Sequence, residues 1–300
     1  MRGYLAILLA VLVLGCVSDG APSQPGTVNV KDTFNPQLPS PDGYYINTIL
    51  YIETPSENLD KTTYKVEQGV YLGEELEPFI YTKQWLREGA KFDFAGLQTR
   101  DIAGITAYLD YRDVIPMVSA QPYNILWVSG NVVHAISGFN QSVSINSAEA
   151  VLGTTKLANA AELEFADIIR MLPDPAEGWN LYMVTPGMYL SSYTNTVGYY
   201  IREVTNETRE TMEVLVVEGD GSVRYIEGKI NSLENRKGAT MNGKAVYEGS
   251  GMGIFGPDYK MVYFSESRNT GMVVSIPLEN KDSPVLEETF IRGISQIESQ

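Results

Sequence analysis

"LPSPDGYY" at residues 38 to 45 returns as "LPDPAEGWN" at residues 172 to 180. Both stretches hold Leu, Pro, a polar residue, Pro, a short polar gap, Gly and an aromatic. Two further echoes follow in the same order. "AGITAYLDY" (Ala103 to Tyr111) is answered by "MNGKAVYEG" (Met241 to Gly249), and "YNILWVSGNVVHAISG" (Tyr123 to Gly138) by "YKMVYFSESRNTGMVVSIP" (Tyr259 to Pro277). Setting Ala107 against Ala245, Trp127 against Tyr263 and Ile136 against Ile276 gives offsets of 138, 136 and 140. Self-similarity at a nearly fixed spacing, with small insertions in loops, reads as a tandem duplication.

Periodicity gives each copy one plan. In the second copy, β-rich segments run over about 197–204 and 212–217, and "EGDGS" (Glu218 to Ser222) turns the chain into a helix. Val223, Ile226, Ile230 and Leu233 there have the 3-4-3 spacing of one helix face. Strands follow near 239–247, 260–265 and 271–276. A closing helix starts at Ser283, with Pro284 in its first turn and Leu286, Phe290, Ile294 and Ile297 as its stripe. The first copy fits a helix over Glu74 to Gly89, strands near 105–111, 125–129 and 132–137, and a closing helix from Ser147. Leu163, Ile168, Ile169 and Leu172 extend a helical pattern up to Pro173, which makes a stiff junction with a groove beside it a further expectation.

Hairpin-length connections dominate the second half of each copy. The fold class is therefore α+β: two tandem duplicated domains, each a mostly antiparallel sheet with helices packed on one face. This order of elements, opened by the Leu-Pro stretch, resembles the small secreted domains of prokaryotic lipoproteins, some of which have a PsbP-like fold. The resemblance is one of fold and carries no site residue.

The N-terminus points to location. Arg2 precedes an unbroken apolar run, Tyr4 to Leu14, too short to span a bilayer comfortably. Val13, Leu14, Gly15 and Cys16 resemble the lipobox of prokaryotic lipoproteins, although Leu14 stands where a smaller or β-branched residue is commoner. That resemblance implies lipidation at Cys16, the only cysteine of the chain, and a body attached to the cell membrane outside the cytoplasm. The stretch after Cys16 is rich in Pro, Gly and Ser and reads as a tether of roughly 25 Å root-mean-square reach. The division is thus a signal over 1–15, a lipid-anchored tether over 16–37, the first repeat over 38–165 and the second over 166–300.

Chemistry is sparse. A net charge of −15 over 300 residues and a pI near 4.5 oppose a nucleic-acid partner. The only histidine, His134, lies on a strand face with Val132 and Ile136 and reads as structural, its slot in the second copy being Val274. "GSGMGIFG" (Gly249 to Gly256) sits between two strands and reads as a hairpin loop, because a phosphate cradle needs a strand followed by a helix. "EGDGS" and "DPAEG" (Asp174 to Gly178) supply carboxylates but lack the ligand alternation of a calcium loop. No catalytic, cofactor-binding or metal-ligating residue is assigned.

Asn140 in "NQS" and Asn206 in "NET" have the form of glycosylation acceptors. Tyrosines at 44, 45, 189, 193, 199 and 200 could form an aromatic recognition edge. The reading is a lipoprotein that binds an unknown protein or small molecule, or serves as an accessory module, and not an enzyme. A surface hydrolase using acidic residues and a structural envelope protein are the alternatives.

Overall fold

The computed structural model describes residues 37–54, 61–73, 76–110, 123–158, 166–186, 192–204, 209–253 and 256–299. Cys16, the apolar run before it, Tyr189 and Asn206 lie outside these residues. The protein is a mostly antiparallel β structure with helices, of the α+β class. Contacts divide it into two units. Unit 1 takes Pro36–Ile49 and Ser56–Ala158, and unit 2 takes Leu50–Pro55 and Asn159–Gln300.

Unit 1 is built from β1 (Tyr44–Glu53, its first half), β2 (Thr63–Gly73), β3 (Phe79–Leu86), β4 (Gln98–Ile102), β5 (Ile105–Asp110), β6 (Tyr123–Ser129), β7 (Val132–Gly138) and α1 (Gln141–Gly153). Its hydrogen-bonded strand order is β1-β2-β3-β7-β6-β5-β4. Ala103 and Gly104 turn the β4–β5 hairpin with φ of 51° and 79°, the two positive values of a two-residue turn that matches strand twist. The chain enters this unit as a strap. Pro39 bridges Leu157, Ser40 N–H donates to the Lys156 carbonyl at 2.8 Å, and Ala158 N–H donates to that of Leu38 at 2.8 Å. Leu38 is fully buried above Gly69, where an added Cβ would stand 3.1 Å from the leucine Cδ1. The buried Tyr71 hydroxyl donates to the Pro39 carbonyl at 2.6 Å.

Unit 2 contains a short helical turn, α2 (Ala166–Ile169), then β8 (Asn180–Pro186), β9 (Thr194–Glu203), β10 (Arg209–Glu218), α3 (Ser222–Asn231), β11 (Glu234–Met241), β12 (Lys244–Met252), β13 (Pro257–Ser265), β14 (Thr270–Pro277) and α4 (Pro284–Ser299). Its strand order is β8-β9-β10-β14-β13-β12-β11, and Tyr51 and Ile52, from the end of β1, pair with β8. Asn242 and Gly243 turn β11 into β12 with φ of 49° and 74°. The strap here is the second Leu-Pro stretch. Leu172 is fully buried against Gly198, and the Tyr200 hydroxyl donates to the Pro173 carbonyl at 2.6 Å.

Several sequence expectations change. The helix over Glu74 to Gly89 is replaced by strand β3. "FIYTKQWL" alternates Phe79, Tyr81, Lys83 and Trp85 with Ile80, Thr82, Gln84 and Leu86, and its aromatic and β-branched content favours a strand over the chance helical spacing of Leu76, Phe79, Ile80 and Leu86. The segment near 239–247 is a hairpin, because Asn-Gly at 242–243 breaks it. The closing helix of unit 1 starts six residues before Ser147. Asn140 caps it, its side-chain oxygen accepting from Val143 N–H at 2.9 Å, and it ends at Gly153 instead of reaching Pro173.

The helices of unit 2 are not on one face. Adding a Cβ to Gly271 would collide with Ile226 of α3, whereas Met272, the next residue of β14 and hence on the opposite face, lies under Gly293 of α4. Every residue of β14 from Thr270 to Ile276 is accordingly buried, which marks a strand covered on both sides. The stripe expected on α3 holds at Ile226, while Val223 is exposed and Leu233 is buried beyond the helix end. The α4 stripe, Leu286, Phe290, Ile294 and Ile297, is buried as read. Among the described residues no helix is long and apolar enough to cross a membrane.

Candidate functional site

Directly opposed residues on antiparallel strands share a face, so pairing register assembles a row across four strands of unit 1: Glu67 on β2, Lys83 on β3, His134 on β7 and Trp127 on β6. Tyr81, two residues before Lys83, faces the same way. This row joins a carboxylate, an ammonium, an imidazole and an indole in a protein whose other rows on this face are largely apolar.

Glu67 is fully buried, so its charge needs partners. The Lys65 ammonium stands 2.8 Å from Oε1, and Gln37 N–H donates to Oε2 at 3.1 Å. Lys83 donates from Nζ to the carbonyl of the same Gln37. One peptide residue is thereby gripped at both its polar ends. Lys65 and Lys83 also stand over the Trp85 ring, 4.7 and 5.8 Å from its centroid. Burial lowers the pKa of Lys83, with Glu67 opposing that shift and Lys65 adding to it.

His134 completes the row. Its ring is stacked on Trp127, 5.0 Å between centroids and 3° from parallel, and its Nδ1 lies 2.7 Å from the Tyr81 hydroxyl. Burial, helped by the Lys83 charge, lowers its pKa to about 4. Burial also raises that of Tyr81, with Glu67 adding to the effect. Both groups are neutral near pH 7, so the tyrosine donates to Nδ1 and the imidazole proton sits on Nε2. A ring fixed in this way positions aromatic surface and offers no free base at Nδ1. In unit 2 the residue that cross-strand pairing sets beside Tyr263, as it sets His134 beside Trp127, is Met272 and not Val274.

A second polar group lies in unit 2. Glu213 on β10 hydrogen-bonds Tyr199 on β9, and its pKa is raised by burial, with Asp258 adding to the shift and Lys260 and Lys229 opposing it. Asp258 is itself raised by burial. Lys260 donates to the Met252 carbonyl at 2.9 Å. Neither carboxylate was among those singled out in the sequence. The available signal was an acid next to an apolar run, Glu213 in "TMEVLVV" (Thr211 to Val217).

The two segments whose carboxylates the sequence singled out form turns closed by other groups. Gly219 N–H and the Ser222 hydroxyl in "EGDGS" both donate to the Asn269 carbonyl, at 3.0 and 2.7 Å. "DPAEG" ends in a turn closed by Trp179 N–H on the Ala176 carbonyl, with Gly178 at φ 77°. In "GSGMGIFG", Gly249 to Met252 belong to β12. Among the described residues no group of three His, Cys, Asp or Glu side chains could hold a metal ion.

The tyrosines divide. Tyr45 is exposed, Tyr44, Tyr193 and Tyr199 are half-buried, and Tyr200 is fully buried beneath the unit 2 strap. Compared with known proteins, the chain matches no family model, no curated protein and no solved structure.

Proposed function

We propose that this protein is a membrane-tethered extracytoplasmic lipoprotein, anchored through Cys16, whose body is a duplicated α+β domain acting as a binding or accessory module. The duplication is supported by position-for-position agreement. Strand orders β1-β2-β3-β7-β6-β5-β4 and β8-β9-β10-β14-β13-β12-β11 follow one scheme. Gly69 pairs with Tyr81 as Gly198 pairs with Val214, and Tyr71 and Tyr200 each donate to a strap proline carbonyl at 2.6 Å. The echo between the two Leu-Pro stretches thus has a physical content: each is a strap whose leucine fills the gap over a strand glycine.

The observation that carries the binding role is the divergence of one row. Where unit 1 has Glu67, Lys83, His134 and Trp127, the same pairing in unit 2 gives Thr196, Val216, Met272 and Tyr263, all buried. Packing alone is satisfied by the second set. Keeping a buried carboxylate and a half-buried lysine against aromatic rings costs desolvation that the apolar set of unit 2 avoids, and recognition is a reason to retain them. Half-exposed Lys65, Lys83, Trp85 and His134 suit a ligand that combines a flat apolar face with polar edges.

The hydrolase alternative rests on one observation, the neighbouring raised carboxyls of Glu213 and Asp258, which is how an acid and base pair begins. Lys260 and Lys229 in the same group hold down the Glu213 shift and weaken that reading.

The deciding measurement is intact mass of the membrane-extracted protein beside a Cys16→Ser variant in fractionation. The expected result is loss of residues 1–15 with added acyl mass in the native chain, and release or misprocessing of the variant. An unprocessed, unacylated native chain would overturn the anchor.

A further inference from the structure

The two straps are held differently. Both bury a leucine over a glycine and accept a tyrosine hydroxyl. What precedes the leucine differs. In unit 2, Ile168, Ile169 and Met171 are buried, and Met171 and Leu172 N–H donate back to the carbonyls of Ile168 and Ile169 at 3.1 Å. In unit 1, Gln37 is exposed, and the chain there is held by Glu67 on its N–H and Lys83 on its carbonyl. Opening the unit 2 strap must expose Met171 as well as Leu172, an apolar cost that water does not recover. Opening the unit 1 strap also exposes its leucine, but at Gln37 it exchanges polar contacts for water, which replaces most of what is lost there.

We propose that Glu67 and Lys83 form a main-chain latch on Gln37, and that the Gln37–Ser40 strap of unit 1 is a releasable element while its unit 2 counterpart is fixed. The latch acts on backbone atoms, so it does not depend on the identity of the side chain at 37. Release lifts Leu38 from Gly69 and Pro39 from the Tyr71 hydroxyl, uncovering an apolar slot with one hydroxyl donor at its end. It also frees Lys83 beside His134 and Trp85, which couples the strap to the divergent row. The latch stands whether or not Cys16 carries lipid.

Native-state hydrogen exchange on the full chain tests this by peptide. The reporters are Ser40 and Ala158 N–H in unit 1 and Met171 and Leu172 N–H in unit 2. Exchange at the unit 1 reporters faster by about tenfold or more is expected, because sub-global openings differ in free energy within one protein. Exchange within that factor overturns the asymmetry. Lys83→Val, which installs the side chain found at the paired position of unit 2, is expected to speed exchange at Ser40 and Ala158 further and to leave Met171 and Leu172 unchanged. Unchanged exchange at Ser40 in that variant, in a protein whose unit 2 reporters are as in the native chain, overturns the latch. Should Lys83→Val fail to fold, the native comparison still decides.

Discussion

Unit 1 and unit 2 have the same strand order, the same strap and a helix on the same face, α1 against Gly138 and α4 over Met272, yet the row that α4 covers in unit 2 is polar and aromatic in unit 1. Met272 lies under Gly293 of α4, and Tyr263 donates to Glu298 of that helix at 2.6 Å. Glu298 also takes Lys244 and Ser265, each at 2.5 Å, and these hydrogen bonds, Lys244 first, hold its pKa down to about 2. The opposite face differs too. Unit 2 carries α3 there, and unit 1 carries the segment 87–97, where Phe94 stacks on Tyr108 with centroids 4.1 Å apart. The scaffold is thus fixed by the glycine, tyrosine and leucine of the strap, and the covering elements vary around it.

The largest test of a shared scaffold is truncation of the two strap leucines. Leu38→Ala and Leu172→Ala each remove a fully buried side chain over a glycine, and each is expected to cost about 2–5 kcal/mol by denaturant unfolding. A cost confined to one unit would break the comparison. The shape of the transition sharpens it, since separate transitions would show that the units unfold independently.

The divergent row gives an intermediate effect with a definite pH dependence. His134 has a folded pKa of about 4 against about 6.5 unfolded. The unfolded chain therefore binds the proton more readily, so this contribution is complete above pH 6.5 and is lost as pH falls from about 6.5 to about 4. The loss is on the order of 2 kcal/mol after allowance for partial exposure. His134→Met, which copies Met272, is expected to flatten that part of a Tm against pH profile. A variant profile with the native slope would remove the histidine from the account.

The smallest effect concerns the paired tyrosines. Tyr71→Phe and Tyr200→Phe each leave a proline carbonyl without its donor and are expected to lower stability by about 1 kcal/mol, equally in the two units. Unequal losses would show that the strap of one unit is supported by other contacts.

Legibility followed the physics of each segment. α4 was readable because Leu286, Phe290, Ile294 and Ile297 make one stripe against one surface. β3 was not, because both of its faces are at least half-buried and an apolar strand of eight residues carries helical spacings by chance. The cover on both faces of β14 was not legible in "TGMVVSIP", because Thr270, Gly271 and Ser275 interrupt its apolar residues although all three are buried. His134 was read as structural from its strand neighbours, whereas its hydrogen bond to Tyr81 and its stacking on Trp127 come from other strands and left no local trace. Glu67, Lys83 and Gln37 left no local trace, since they are far apart in sequence.

The sequence by itself determined the repeated Leu-Pro opening and the stripe of the closing helix of unit 2, because periodicity is a local property. Only the tertiary structure decided which residues share a row, which helix covers which face, and that Glu67 and Lys83 meet on one peptide of Gln37. Those outcomes depend on cross-strand register, where a shift of one residue moves every side chain to the other face, and register is set by the whole sheet and not by any one strand.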